Sequence, residues 1–121
     1  DASLHCNHLP CRTPLGSKGE ACVTSCSHIF CMTCAQTFFT SALVCPACEL
    51  ALPGREDVVV ACLDPSDSYK ASILAGLRPE IIMEIATRGL RFWTYQVSQE
   101  LIYRELSEKR TIEKMRSTET Q

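Results

Sequence analysis

The chain of 121 residues lacks any long apolar run. Its hydrophobic residues, 45% of the total, come in stretches of a few at a time, far short of the roughly 20 that span a bilayer. No charged-then-apolar opening leads to a small-residue cleavage site, so no secretory signal is predicted. An excess of basic charge is also missing: 12 Lys and Arg stand against 14 Asp and Glu, a formal −2. Phosphate binders draw their affinity from Lys and Arg that release counterions, so neither nucleic acid nor membrane is an expected partner. The apolar share and 21% charged residues argue against wholesale disorder or low complexity. The most telling absence is local: all 9 cysteines lie between Cys6 and Cys62, and the last 59 residues have none.

An odd cysteine count, two C-x2-C pairs and a histidine inside the series read as thiolates held by metal rather than as a disulfide framework. In order the candidate ligands are Cys6, Cys11, Cys26, His28, Cys31, Cys34, Cys45 and Cys48. Eight ligands make two tetrahedral zinc sites with no open position for water, which points to structural metal rather than a zinc hydrolase. Two such ions with seven thiolates, four positive charges against seven negative, take the formal −2 to −5. Residues 6–62 form a segment whose apolar core is marginal without staples, and each site can contribute on the order of 10 kcal/mol to folding.

The single histidine in fourth place resembles the ligand order of a RING finger. In that family the sites are cross-braced, which implies Cys6, Cys11, Cys31 and Cys34 around one ion and Cys26, His28, Cys45 and Cys48 around the other. The C-x4-C opening is longer than usual for the family. A PHD finger would need Cys22 as a ligand, would leave Cys34 unused, and lacks its aromatic before the last pair. Cys22 and Cys62 read as buried apolar residues, and His5 and His8 most simply as solvated loop residues flanking the first ligand, with either able to substitute for a neighbouring ligand.

The coarse pattern is ββαβ. Residues 21–24 and 29–30 flank the Cys26–His28 turn as a hairpin with Phe30 facing the core. Residues 32–40 read as a helix, with Phe39 toward the core and Phe38 outward. Pro53–Gly54 is a turn, and residues 57–62 are a β-branched closing strand. RING fingers dock a conjugating enzyme loaded with ubiquitin or a related modifier and act by positioning it. The resemblance implies docking through Leu9, with Pro10 beside it, Phe38 and Pro46. One departure stands out: Glu49 follows the last ligand where many ubiquitin-directed RINGs carry a basic or amide donor, and its carboxylate cannot donate.

Beyond residue 62 the chain turns helical. Asp64, Pro65 and Asp67 form a helix start with Asp64 as cap, and Gly76 is a stop. Pro79 opens a second helix that is expected to reach about Met115, over 50 Å at 1.5 Å per residue. Ile81, Ile85, Phe92, Tyr95, Ile102, Tyr103 and Leu106 form one apolar stripe. Ile82, Ala86, Leu90, Trp93, Val97 and Leu101 form a second. One stripe can cover the short helix or the zinc head, and the other then needs another chain. Self-association is accordingly expected through Ile82, Ile85, Leu90, Phe92, Trp93, Val97 and Leu101. Residues 104–121 read as the start of a coiled coil.

Several stretches together resemble one family, the meiotic crossover-regulating RING ligases. They are Cys6-Asn7, Cys11-Arg12, Val23 to Cys31 and Cys45 to Cys48, then Tyr69 to Ala71, Leu74 to Ile81 and Phe92 to Val97. The resemblance implies a nuclear, chromosome-associated ubiquitin or SUMO ligase that oligomerises through a coiled coil and acts on protein substrates. Family members continue into a longer coiled coil and tail, so an N-terminal piece is implied. The expected architecture is a zinc-braced α+β RING finger over 1–62, a short helix and connector over 63–78, and a long amphipathic helix over 79–121. The competing reading is a non-catalytic, zinc-stabilised oligomerising scaffold. Conjugating-enzyme binding that Phe38→Ala abolishes separates the two.

Overall fold

The computed structural model describes residues 4–16, 19–40 and 42–119. The ends of the two outer expected spans, residues 1–3 and 120–121, lie outside them. The head contains two small antiparallel sheets. Strands β1 (Leu4–His5) and β2 (Pro14–Leu15) pair as Leu4 with Leu15 and His5 with Pro14. Strand β3 (Glu20–Thr24) is the centre of the second sheet, between β4 (Ile29–Cys31) and β5 (Val58–Cys62), in the order β4-β3-β5. The register places Cys22 opposite Phe30 on one side and Val60 on the other. The β1–β2 pair was not anticipated, because two-residue strands are too short to show an alternation.

Helix α1 (Met32–Phe38) follows β4 directly. Its N-cap is Cys31, whose sulfur accepts from the Cys34 N–H at 3.5 Å, so the helix begins on a ligand. It ends where the Phe39 N–H reaches the Ala35 carbonyl. Two apolar clusters fill the head. One is built on Phe30, Leu52 and the ligands Cys6, Cys34 and Cys45, with Phe38, Phe39 and Val58 packed against it. The other is built on Leu15, Ala21 and Ile29, with Phe92 of the distant helix against it. Phe30 is fully buried, as its alternation predicts.

Cys22 is buried, but Cys62 is exposed, contrary to expectation. It closes the edge strand β5 opposite Glu20, where the far side has no neighbouring strand. His5 is likewise not a solvated loop residue: it sits in β1, only part-exposed, 3.7 Å from Glu100.

Helix α2 is shorter than anticipated, Asp67–Ser72, and its cap is Ser66 rather than Asp64. The Ser66 hydroxyl accepts from the Tyr69 N–H at 3.2 Å, which leaves Asp67 in the first turn to meet the positive end of the helix dipole. Turns at Ala75 and Leu77 follow, and Gly76 takes φ 89°, the left-handed conformation that marks the stop. Helix α3 then runs Pro79–Glu119, 41 residues, or roughly 60 Å. It lies against the head, where it meets β1, while α2 has no buried residue.

Candidate metal centres

The ligand atoms of Cys6, Cys11, Cys31 and Cys34 lie within 4.8 Å of one another, and so do those of Cys26, His28, Cys45 and Cys48. A tetrahedral zinc with Zn–S of about 2.3 Å and Zn–N of about 2.0 Å sets S···S edges of about 3.8 Å and S···N edges of about 3.5 Å. Cys11 Sγ and Cys31 Sγ are 3.8 Å apart. The Nδ1 of His28 is 3.5 Å from Cys26 Sγ and 3.6 Å from Cys45 Sγ. Donor type and spacing therefore fit two structural zinc ions. The chain alternates between the sites, so each ion ties together loops distant in sequence.

Local backbone geometry makes these knuckles. Arg12, just after Cys11, Ser27, between Cys26 and His28, and Glu49, just after Cys48, all take positive φ (50°, 68° and 64°). At Glu49 this turn directs its N–H to the Cys45 carbonyl at 2.8 Å.

The thiols differ in character. Burial raises Cys6 and Cys34, and it raises Cys45 to about 11. Cys11 is held down to about 6, first by the Thr13 hydroxyl at 3.0 Å and then by the Thr13 backbone N–H. Cys48 is lowered by the Leu50 N–H. Burial lowers His28 and so favours the neutral imidazole that a metal needs. Its other nitrogen, Nε2, is 3.4 Å from the Tyr95 hydroxyl of α3. The remaining histidine near the centres, His8, has Nδ1 3.8 Å from Cys34 Sγ but is not one of the four clustered ligands.

Residues 5–49 match the zinc-RING finger domain model. These residues are a RING finger. Over 103 residues, 84% of the chain, it is 52% identical to the human "E3 ubiquitin-protein ligase CCNB1IP1" and 50% identical to the mouse protein of that name. The match covers 36% and 37% of those proteins. A rice "E3 ubiquitin-protein ligase CCNB1IP1 homolog" is 28% identical over 87 residues, 72% of the chain and 28% of that protein. The chain thus spans about a third of the length of the curated relatives it matches. No solved structure matches it. The similarity extends well past the RING into the helices.

Around the RING zincs, Leu9, Pro10 and Pro46 line one cavity of about 520 Å³. Phe38 does not line it. Its ring packs at 4.6 Å on His8, which does, and both Phe38 and Phe39 are half-buried. Phe39 meets Phe30 edge-on at 5.8 Å, the inward role anticipated for it.

A group of residues that the sequence reading left without a role joins the RING to α3. Gln96 is 4% exposed. Its Nε2 donates to Asn7 Oδ1 at 2.8 Å and to the Ser27 carbonyl at 2.7 Å. Its Oε1 accepts from Asn7 Nδ2 at 2.9 Å. Asn7 in turn accepts from the Ile29 N–H and donates to the His5 carbonyl. One and two turns from Gln96, Arg12 pairs with Glu100 and stacks over Tyr103 at 4.2 Å. Burial works to raise the Glu100 carboxyl, and the Arg12 hydrogen bond and charge outweigh it, holding the group below its ordinary value. A signal was available: Gln96 is a polar residue on the face that carries Phe92 and Tyr103.

Of the residues assigned to self-association, Phe92 is already packed inside this chain. Trp93, Val97 and Leu101 line a cleft of about 250 Å³ against Leu4 and His5. Leu90 is 67% exposed.

Proposed function

We propose that this chain is the head of a RING-type E3 ligase that recruits a ubiquitin-loaded conjugating enzyme and promotes transfer to substrate lysines. The observation that carries this reading is the shared cavity formed by Leu9, Pro10 and Pro46 on loops fixed by the two zinc sites. All eight ligand positions are protein side chains, so the chain offers no metal-bound water. Its contribution is to hold the loaded enzyme in a reactive arrangement. The relatives' names favour ubiquitin over SUMO. A nuclear role in meiotic crossover control follows from the family resemblance. The exposed remainder of the second stripe on α3, with Leu90 at its centre, is a suitable surface for pairing two copies.

A single-turnover discharge assay tests this. Conjugating enzyme preloaded with ubiquitin, and separately with SUMO, is mixed with free lysine and the chain, with Phe38→Ala and Pro46→Ala as controls. Faster discharge that both substitutions abolish supports the ligase and identifies its modifier. No acceleration by a zinc-replete chain rejects it. Glu49 favours the competing scaffold reading, because a carboxylate there offers no donor to enzyme and modifier.

A further inference from the structure

The cavity that holds Leu9, Pro10 and Pro46 has a side that does not come from the RING. It is supplied by α3, where Ile102 and Leu106 line the same space. Both are apolar and about half exposed, at 49% and 50%. Their position is set by the polar clasp: Gln96 anchors the helix to Asn7 and Ser27, and Glu100 and Tyr103 engage Arg12. Ile102 and Leu106 lie within about two to three turns of Gln96, so the wall stands where the clasp places it.

We propose that Ile102 and Leu106 are a second wall of the conjugating-enzyme docking surface, so that the enzyme is read by the RING loops and by α3 together. This rests on the ligase reading above. The occupant follows from continuity. A folded protein seated on Leu9, Pro10 and Pro46 enters a space that these two side chains also line, and filling it brings the protein against them. A second copy is the less suitable occupant, because Leu106 lies about 160° around the helix from Leu90 at 100° per residue. Pairing through the Leu90 face therefore leaves the wall free. The wall adds apolar area beside the loops, and enzymes with a complementary apolar surface there are preferred over those presenting charge, since an unpaired buried charge is costly. The helix thus selects among conjugating enzymes that the zinc loops alone would accept.

The experiment is equilibrium binding of the whole chain to a panel of purified ubiquitin-conjugating enzymes and the SUMO-conjugating enzyme. The variant is Ile102→Ser with Leu106→Ser, and the milder pair Ile102→Ala with Leu106→Ala accompanies it. Met83→Ser, at an exposed site outside the cavity, serves as control, and Pro46→Ala reports on the RING loops. Trp93 emission and two zinc ions per chain establish that each variant is folded. At least a tenfold weakening by the serine pair, a smaller loss with alanine, and no change with Met83→Ser are expected. If Pro46→Ala abolishes binding while both pairs stay within twofold of wild type, the ligase reading stands and the second wall is refuted. If no conjugating enzyme binds the wild-type chain, both are refuted.

Discussion

Replacing Gln96 with leucine should separate the helix from the RING while leaving the zinc sites filled. Leucine has a similar volume and a good helix propensity, so the change removes polar contacts without breaking α3. Three hydrogen bonds are lost: two donated by Nε2, to Asn7 and Ser27, and one accepted by Oε1 from Asn7. At about 1 kcal/mol net each, with part of the loss offset by burying leucine's extra apolar surface, the docked arrangement weakens by about 2 kcal/mol, or roughly 30-fold in population. Asn7 keeps its bonds to the Ile29 N–H and the His5 carbonyl, so the β1 region should persist. The chain has one tryptophan, Trp93, on the helix wall of the cleft facing Leu4 and His5, which makes its emission a reporter of docking. Denaturant titration followed by Trp93 emission should shift to lower concentration by that amount, with two zinc ions retained. Gln96→Glu should be worse, because a carboxylate cannot donate to the Ser27 carbonyl or to Asn7 Oδ1, and the Ile29 N–H keeps Asn7 from turning its amide over. A Gln96→Leu transition within about 0.5 kcal/mol of wild type, below the net value of even one hydrogen bond, would refute the clasp.

Three further outcomes are expected. Zinc binding should release protons, because burial keeps Cys6 and Cys34 protonated near neutrality and raises Cys45 to about 11. Affinity therefore falls with pH. Between pH 8 and 6, competition with a chelator, corrected for its own protonation, should show a loss of at least about ten-thousand-fold at the four-cysteine site, where Cys6 and Cys34 each give up a proton, and of at least about a hundred-fold at the histidine site, where Cys45 gives up one; a flat profile contradicts this. Tyr95→Phe removes the hydroxyl beside His28 Nε2, and outer contacts of this kind typically govern about 10- to 100-fold in metal affinity. The partial length of this one places the expected loss near tenfold, confined to the histidine site when cobalt spectra of the two sites are compared, and equal losses at both sites would reject the assignment. Glu49→Arg should raise the discharge rate several-fold by restoring a donor after the last ligand, and an unchanged rate would remove Glu49 as a limit on activity.

The eight ligands were legible because their chemistry is distinctive: few residue types bind zinc, and two tetrahedral sites fix the count. The α1 helix and the β3–β4 hairpin followed from their positions between ligands. What the sequence did not reveal depends on residues with ordinary chemistry brought together by topology. Asn7 and Gln96 are 89 positions apart, and nothing in their separate surroundings pairs an asparagine beside a ligand with a glutamine on an apolar stripe. The same reason explains Phe92: its stripe was legible, but not that the RING's second apolar cluster would receive it. At α2 both Asp64 and Ser66 are suitable caps, and the Ser66 hydroxyl bond from the Tyr69 N–H, on an extended backbone at φ −64° and ψ 158°, marks the one in use. Cys62 was misjudged because residue type alone cannot show that a strand lies at a sheet edge.

The two zinc sites and the clasp form a hierarchy whose order follows from magnitude. Each metal site contributes on the order of 10 kcal/mol, against about 2 kcal/mol for the Gln96 contacts. The clasp also depends on the metals. Asn7 follows Cys6, Arg12 follows Cys11, and Ser27 lies between Cys26 and His28, so every RING partner of Gln96 and Glu100 named in the clasp is carried on a zinc knuckle. Undocking the helix should therefore leave the metals in place, whereas removing the metals should undock the helix. Chelation of both ions is expected to move Trp93 emission at least as far as Gln96→Leu does, with the β3 sheet lost and far-UV helical signal from α3 largely retained. Under partial chelation, emission should change with loss of either site, since site-one knuckles hold Asn7 and Arg12 and site two holds Ser27. Unchanged Trp93 emission after both zincs are gone would mean that α3 docks on a surface the metals do not form, and the hierarchy would fail.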